Sequence, residues 1–249
     1  MHPAPKPLIS KLARGIVAAA LVVSLAPWRV PPARAQTPVD LELVLAIDSS
    51  SSIAGEEFEL QINGYAQAFR DPAVIAAIMA LQPHGIAVTL VQWSASFQQF
   101  QSVPWHHVRD AESAETFAAA IEANSRQFVG FGTAIGSAIA YSVGLFGTGR
   151  FAGRRRVIDI SADERSNMGS HPSYMRKSAV DAGITVNGLA VLEGDDSLPD
   201  YFREFVITGT ASFVVSVESY RHIAQAVRRK LLRELSAPVA WKSGGTKPR

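Results

Sequence analysis

Three groups of oxygen-bearing side chains could together bind a metal ion. Asp48, Ser50 and Ser52 form an Asp-x-Ser-x-Ser pattern directly after a mainly apolar run. Thr133 follows a glycine-flanked turn, and Asp163 follows a later apolar run. Two carboxylates and three hydroxyls would supply most of an octahedral shell and leave one position for water or for a partner's oxygen. Such hard donors favour Mg²⁺, Mn²⁺ or Ca²⁺ over zinc or copper, and Mg²⁺ is the first candidate.

A parallel sheet would bring these three groups to one edge. The run from Leu41 to Ile47 predicts a strand that is buried on both faces, as at the centre of such a sheet. Ligands of open α/β sheets lie at the carboxyl ends of the strands, near the point where the strand order reverses. Further strands are predicted at 86–94, 156–161, 184–192 and 213–217, and 97–103 predicts an antiparallel edge strand.

Helical periodicity separates most of these strands. It predicts helices at about 55–70, 74–81, 110–124 and 135–146, and again at 173–182, 198–205 and 220–235. Alternating strands and helices predict a single α/β domain over residues 36–237. The expected architecture is a doubly wound, mostly parallel six-stranded sheet with one antiparallel edge strand and helices on both faces.

The two ends of the chain are expected to lie outside that domain. Residues 1–35 read as a signal peptide, because basic residues precede an apolar core at 15–26 and Ala33-Arg34-Ala35 offers a cleavage site before Gln36. A core of about a dozen residues is short for the ~20 of a spanning helix. We therefore expect a periplasmic or secreted protein with no stable membrane span after cleavage. Residues 238–249 are expected to be disordered.

Charge and composition exclude several kinds of chemistry. The first 35 residues hold five of the 24 basic residues and none of the 22 acidic ones, so 19 minus 22 gives the mature chain a formal charge of −3. The basic pI of the whole chain therefore gives no support for nucleic-acid binding. Because cysteine is absent, disulfides, thiolate metal sites and cysteine nucleophiles are excluded.

The spacing of the five oxygen-bearing residues resembles the von Willebrand factor type A domain family over about residues 38–236. More narrowly, the chain is similar to a bacterial family of exported proteins with such a domain, whose function is unknown. The resemblance implies a metal-ion-dependent adhesion site in which Asp48, Ser50, Ser52 and Thr133 hold a divalent cation directly or through water. Asp163 would act through a water, and a partner's Glu or Asp would fill the open position.

One residue departs from that resemblance. The last aspartate of the family's site is usually followed by glycine, whereas Glu164 follows Asp163 here. A charged neighbour either alters the loop or adds a second carboxylate near the ion.

Two other functions compete with a binding domain. Asp48 could be the nucleophile of a Mg²⁺-dependent hydrolase, although phosphatases of the haloacid dehalogenase type carry a second aspartate where this chain has Ser50. The chain could also be a metal-free structural protein of the envelope. In that case Ser49–Ser52 and Thr133 would be no more than helix N-caps.

Charged residues elsewhere are expected to be structural. Asp159 lies within an apolar strand, where we expect it to pair with or hydrogen-bond near Arg155 or Arg156. Arg228, Arg229, Lys230 and Arg233 are expected on the solvated face of the last helix.

Overall fold

The computed structural model describes His2 and residues 36–128, 130–148 and 150–236. Apart from His2, the expected signal peptide at 1–35 lies outside the described residues, and so does the expected tail at 238–249. Both stay predictions.

Six strands form one sheet in the order β3-β2-β1-β4-β5-β6. All neighbouring strands are parallel except β2 and β3, which are antiparallel. The predicted fold class is therefore confirmed. The strands are β1 Thr37–Asp48, β2 Ile86–Trp93, β3 Gln99–Val108, β4 Phe151–Ala162, β5 Thr185–Val191 and β6 Val214–Val217.

Strand β1 lies at the centre because both of its faces are apolar. Leu43, Leu45 and Ile47 belong to the core on one side of the sheet, and Val44 and Ala46 belong to the core on the other side. Successive side chains of a strand point to opposite faces, so a continuous apolar run is buried only between two layers of helices.

Helices cover both faces of the sheet. Residues from α1, α2, α3 and α7 line one core, and residues from α4, α5 and α6 line the other. A π-helical segment, Phe202–Val206, continues α6, and a 3₁₀ turn, Tyr220–His222, precedes α7. The helices are α1 Gly55–Arg70, α2 Pro72–Met79, α3 Ala111–Glu122, α4 Ile135–Leu145, α5 Pro172–Asp181, α6 Leu198–Tyr201 and α7 Ile223–Ser236.

Three strands are longer than the apolar pattern predicted. Strand β1 begins at Thr37, which pairs with Phe151 at the start of β4. Strand β3 runs on to Val108, opposite Ile86. Backbone hydrogen bonds hold these extensions, and single apolar side chains such as Val39, Phe151 and Val108 anchor them in the core. Because polar residues such as Arg154 lie near the start of β4, the apolar pattern did not predict this part of the strand.

The expectation that Lys230 lies on a solvated helix face is wrong. Its side chain is 1% exposed and forms an ion pair with Asp159, while its ammonium lies 3.4 Å from the Glu234 carboxylate. Asp159 is a buried structural residue, but its ion-pair partner comes from α7 and not from the arginines of its own strand. Burial lowers the pKa of Lys230 to about 8.

The strand order reverses between β1 and β4. The chain leaves β1 for α1 on one face of the sheet and leaves β4 for α5 on the other face. The two carboxyl ends are neighbours, since Ile47 pairs with Ser161. Loops that diverge in this way leave a crevice between them, which is where open α/β sheets bind ligands.

Candidate metal site

Asp48 ends β1 with a completely buried side chain. Its Oδ1 atom accepts a hydrogen bond from the backbone N–H of Ser50 at 2.7 Å. Within the described part of the chain, its Oδ2 atom has no hydrogen-bond partner. Burial raises the pKa of Asp48 well above its usual value, and the negative charge of Asp163 raises it further. A buried carboxylate oxygen without a donor is costly, and a cation would compensate for that cost.

Ser50, Ser52 and Asp163 form a chain of contacts beside Asp48. The Oγ atoms of Ser50 and Ser52 are 3.0 Å apart, and Ser52 Oγ donates to Asp163 Oδ1 at 3.0 Å. Neighbouring ligands of an octahedral ion with bonds of about 2.1 Å are themselves ~3.0 Å apart. The two serine hydroxyls therefore have the spacing of neighbouring ligands of one small cation, and Asp163 holds Ser52 in place beside them.

Helix capping does not account for these hydroxyls. The N-cap of α1 is Ala54, whose N–H donates to the Glu57 carboxylate at 2.7 Å. The N-cap of α4 is Ala134, which makes no side-chain cap, and Thr133 precedes it. Neither the serines nor Thr133 serves the N-cap role that was the alternative explanation for them.

Thr133 is completely buried, and the loop after β4 holds it. Its Oγ1 donates to the Glu164 carboxylate, and its N–H donates to Asn167 Oδ1 at 2.8 Å. Its carbonyl accepts from Asn167 N–H at 3.0 Å. The preceding Gly132 has a φ of +103°, a conformation that favours glycine. The structure thus brings Thr133 and the loop of Asp163 together.

Asp163 and Glu164 are half-buried next to Asp48. Burial raises the pKa of Asp163 to about 6, and the charge of Glu164 contributes to that rise. The same two residues raise the pKa of Asp48. Three carboxyl groups that repel one another at one sheet edge are the electrostatic setting in which a divalent cation binds favourably.

Arg126 is a positioning residue that the sequence did not reveal. Its guanidinium donates to the carbonyls of Ser49 at 2.9 and 3.1 Å and of Ile53 at 2.9 Å, and it also donates to Ser50. It lies over the ring of Phe58 at 5.7 Å. Since the rigid fork of arginine can satisfy several acceptors at once, Arg126 fixes the backbone of the serine loop.

Gln61 fixes the start of the same loop from α1. Its Nε2 donates to the Asp48 carbonyl at 2.9 Å, and its Oε1 accepts from Ser161 Oγ at 3.0 Å. Gln61 therefore ties the end of β1 to the end of β4. A sequence signal was present, because Gln61 lies between Phe58 and Tyr65 on the buried stripe of the helix.

The candidate site depends on its hydroxyl groups. Within residues 36–128, 130–148 and 150–236, no group of three or more His, Cys, Asp or Glu side chains is arranged to hold a metal ion. Asp48, Asp163 and Glu164 do not form such a group by themselves. Coordination at this edge needs the serine and threonine oxygens that lie among them.

Residues 38–239 match the family described as proteins of unknown function, DUF1194. The chain belongs to the DUF1194 family. No curated protein matches it by sequence.

Solved structures of von Willebrand factor type A domains are similar in fold. Proximal thread matrix protein 1 from the mussel byssus is 17% identical, with a TM-score of 0.60 over 80% of this chain and 49% of its own. Another structure of that protein, with a zinc-occupied MIDAS motif, is 16% identical, with a TM-score of 0.56 over 80% and 48%. The von Willebrand factor type A protein from Catenulispora acidiphila is 15% identical, with a TM-score of 0.54 over 79% and 43%.

These similarities concern the fold. The chain spans about half the length of the mussel protein. The predicted resemblance to the type A domain family is confirmed at the level of the fold.

Proposed function

We propose that this chain is an exported binding domain that recognises a protein partner through a divalent cation held by Asp48, Ser50, Ser52, Thr133 and Asp163. The observation that carries the proposal is the buried Oδ2 atom of Asp48, which has no donor among the described residues and lies beside hydroxyls at ligand spacing. Mg²⁺ is the first candidate, and Mn²⁺ and Ca²⁺ suit the same oxygens.

Each residue has a distinct part in this proposal. Asp48, Ser50, Ser52 and Thr133 hold the cation directly or through water, and Asp163 orients Ser52 and acts through a water. A bound cation would attract an incoming carboxylate, because neutral hydroxyls leave its charge incompletely balanced. The zinc-occupied MIDAS motif of the mussel protein, which is similar in fold, supports the binding of a divalent ion.

Three exposed apolar side chains support a protein partner. Phe97 is 82% exposed, Phe131 is 85% exposed and Met168 is 38% exposed. They come from three separate loops, and we refer to them as the apolar rim. Exposed apolar groups of this size are typical of interaction sites, and aromatic residues are enriched at the centres of protein interfaces.

The loops of the apolar rim are contiguous with one another and with Thr133. Gly130 lies against the side chain of Gln98, Gly132 against Met168, and Gly169 against Ser96. Segments 94–98, 130–134 and 166–170 contain no charged residue. These uncharged loops add no basic side chains for the phosphate groups of nucleic acid or of anionic lipid, and their exposed apolar side chains favour a protein partner.

Export is part of the proposal because the leader at 1–35 has the features of a signal peptide. None of the helices among the described residues is long and apolar enough to cross a membrane. The mussel protein is named as a thread matrix protein, which is consistent with a location outside the cell.

The hydrolase alternative has less support. A nucleophilic aspartate must reach its phosphate, whereas the Asp48 side chain is completely buried and one of its oxygens is engaged by Ser50. The metal-free alternative is tested by measuring the stability of the folded chain with a divalent cation and with chelator.

The proposal predicts a metal-dependent capture of partner from envelope extract. Immobilised wild-type protein in Mg²⁺ should retain specific proteins, with at least about a tenfold loss in chelator or in Asp48→Asn, because the central contact is a charge-assisted bond. A similar loss is expected for the double variant Phe97→Ser/Phe131→Ser.

Met79→Ser is the matched control for the rim. Met79 is also an exposed apolar residue, but it ends α2, just before the turn to the amino end of β2. Retention of the same proteins at equal levels with and without chelator would contradict metal-dependent recognition.

A further inference from the structure

Glu164, the residue that departs from the family resemblance, has its side chain inside the candidate metal site. Its Oε1 atom accepts a hydrogen bond from Thr133 Oγ1 and another from Asn167 Nδ2 at 3.3 Å. Its charge acts on both Asp48 and Asp163. Glu164 therefore belongs to the same group of oxygens as the proposed ligands.

The contacts of Glu164 resemble those between the proposed ligands themselves. Ser50 touches Ser52 at the spacing of neighbouring ligands of one ion, and Ser52 donates to Asp163. The carboxylate of Glu164 is likewise in direct contact with a proposed ligand, because it accepts a hydrogen bond from Thr133 Oγ1. This contact places a Glu164 oxygen directly beside one of the proposed ligand oxygens. The five proposed ligands leave one position unfilled, and Glu164 supplies a carboxylate for it.

Asn167 fixes the direction of the Glu164 side chain. Two hydrogen bonds join Asn167 to the Thr133 backbone, from Thr133 N–H to Asn167 Oδ1 at 2.8 Å and from Asn167 N–H to the Thr133 carbonyl at 3.0 Å. With its oxygen engaged there, the Asn167 amide group presents its Nδ2 to Glu164. The carboxylate is thus held against Thr133 by its own loop.

We propose that Glu164 is an internal ligand that closes the metal site until a partner's carboxylate displaces it. This inference depends on the proposed function, since it assigns the position that the partner's acid would take. Three carboxylates and the divalent ion between them have a combined charge of −1. The closed site therefore holds its cation more firmly and attracts an external acid less. A partner must then add other contacts, and the apolar rim offers them.

Mn²⁺ alone is the probe that tests the inference, because water-proton relaxation reports how many exchangeable waters a bound Mn²⁺ carries. Glu164→Ala is expected to add about one water per bound Mn²⁺, since the vacated position fills with solvent. Glu164→Gln, which keeps the acceptor for Thr133, is expected to weaken Mn²⁺ binding at least about tenfold through the loss of a charged ligand.

Glu57→Gln is the matched control. Glu57 is a nearby acid that also acts on Asp163, but its carboxylate caps Ala54 N–H and a glutamine can do the same. This control should weaken Mn²⁺ binding less than about threefold, as expected for a charge that acts only at a distance. It should leave the water count unchanged.

The outcomes separate the two proposals. If wild type binds Mn²⁺ and Asp48→Asn does not, but Glu164→Ala leaves the water count unchanged, the internal ligand is wrong and the metal site stands. Equal weakening by Glu164→Gln and Glu57→Gln would also contradict the internal ligand. If wild type binds no Mn²⁺, the proposed function fails and the inference fails with it.

Discussion

Replacing Lys230 with alanine is expected to lower the free energy of unfolding by about 3–5 kcal/mol, because it leaves two buried acids without their cation. Lys230 is paired with Asp159 of β4 and lies 3.4 Å from Glu234 of its own helix. Glu234 in turn accepts a hydrogen bond from Asn187 of β5 at 2.6 Å. The group therefore ties α7 to two strands. Urea unfolding of wild type and variant at pH 7 measures the difference directly.

Arg229→Ala is the control for this prediction. Arg229 precedes Lys230 in the same helix but is exposed, so its loss should change stability by no more than about 0.5 kcal/mol. Asp159→Asn combined with Lys230→Ala should cost less than the sum of the two single changes, since the two residues share one interaction. A loss below about 1 kcal/mol for Lys230→Ala would contradict a buried ion pair.

A divalent cation at 100 times its dissociation constant is expected to raise the free energy of unfolding by about 2.7 kcal/mol, because it binds only the folded chain. Asp48→Asn should abolish this gain. The change keeps the size of the side chain and the acceptor for Ser50 N–H, so the domain should stay folded. Urea unfolding in Mg²⁺, in Mn²⁺ and in chelator measures the effect for both proteins.

In Mg²⁺ or Mn²⁺ wild type should be more stable than Asp48→Asn, and in chelator this order should reverse. Burial and Asp163 raise the pKa of Asp48, which means that its charged form destabilises the folded state without a cation. The neutral amide of Asp48→Asn removes that charge, so the variant should be more stable than wild type in chelator. If wild type gains no stability from any of these cations, the metal-free alternative is favoured instead.

The fold was predictable where the apolar pattern is strong. Strand β1 is buried on both faces, and that property identified it as the centre of a parallel sheet. The amino-terminal ends of β1 and β4 were not predictable, because they depend on pairing between segments such as Thr37 and Phe151, which are far apart in sequence. A hydropathy pattern does not indicate which backbone segments pair with each other.

The proposed ligands could be chosen from sequence because they follow predicted strands and a predicted turn. The residues that position these ligands could not be chosen in the same way. Arg126 bonds to three carbonyls of a distant loop, and carbonyls are the same in every residue, so no side-chain pattern marks that contact. Its role could be identified only from the three-dimensional arrangement.

Lys230 shows a different kind of error. It lies three residues after Val227 and seven after Ile223, on the apolar stripe of α7. Helical periodicity favours burial at this position, but the neighbouring arginines led to the expectation of a solvated face. Position on the helix outweighs residue type here, because Asp159 on the facing strand supplies the opposite charge.

The central claim, that three loops of one sheet edge hold a hard cation, is tested most directly by anomalous X-ray diffraction from crystals grown with Mn²⁺. One strong anomalous peak is expected among the oxygens of Asp48, Ser50, Ser52 and Thr133, within about 2.3 Å of those that bind the ion directly, with Asp163 at hydrogen-bonding distance from a metal-bound water. No peak at saturating Mn²⁺, or a peak only at another place such as His106 and His107, would contradict it.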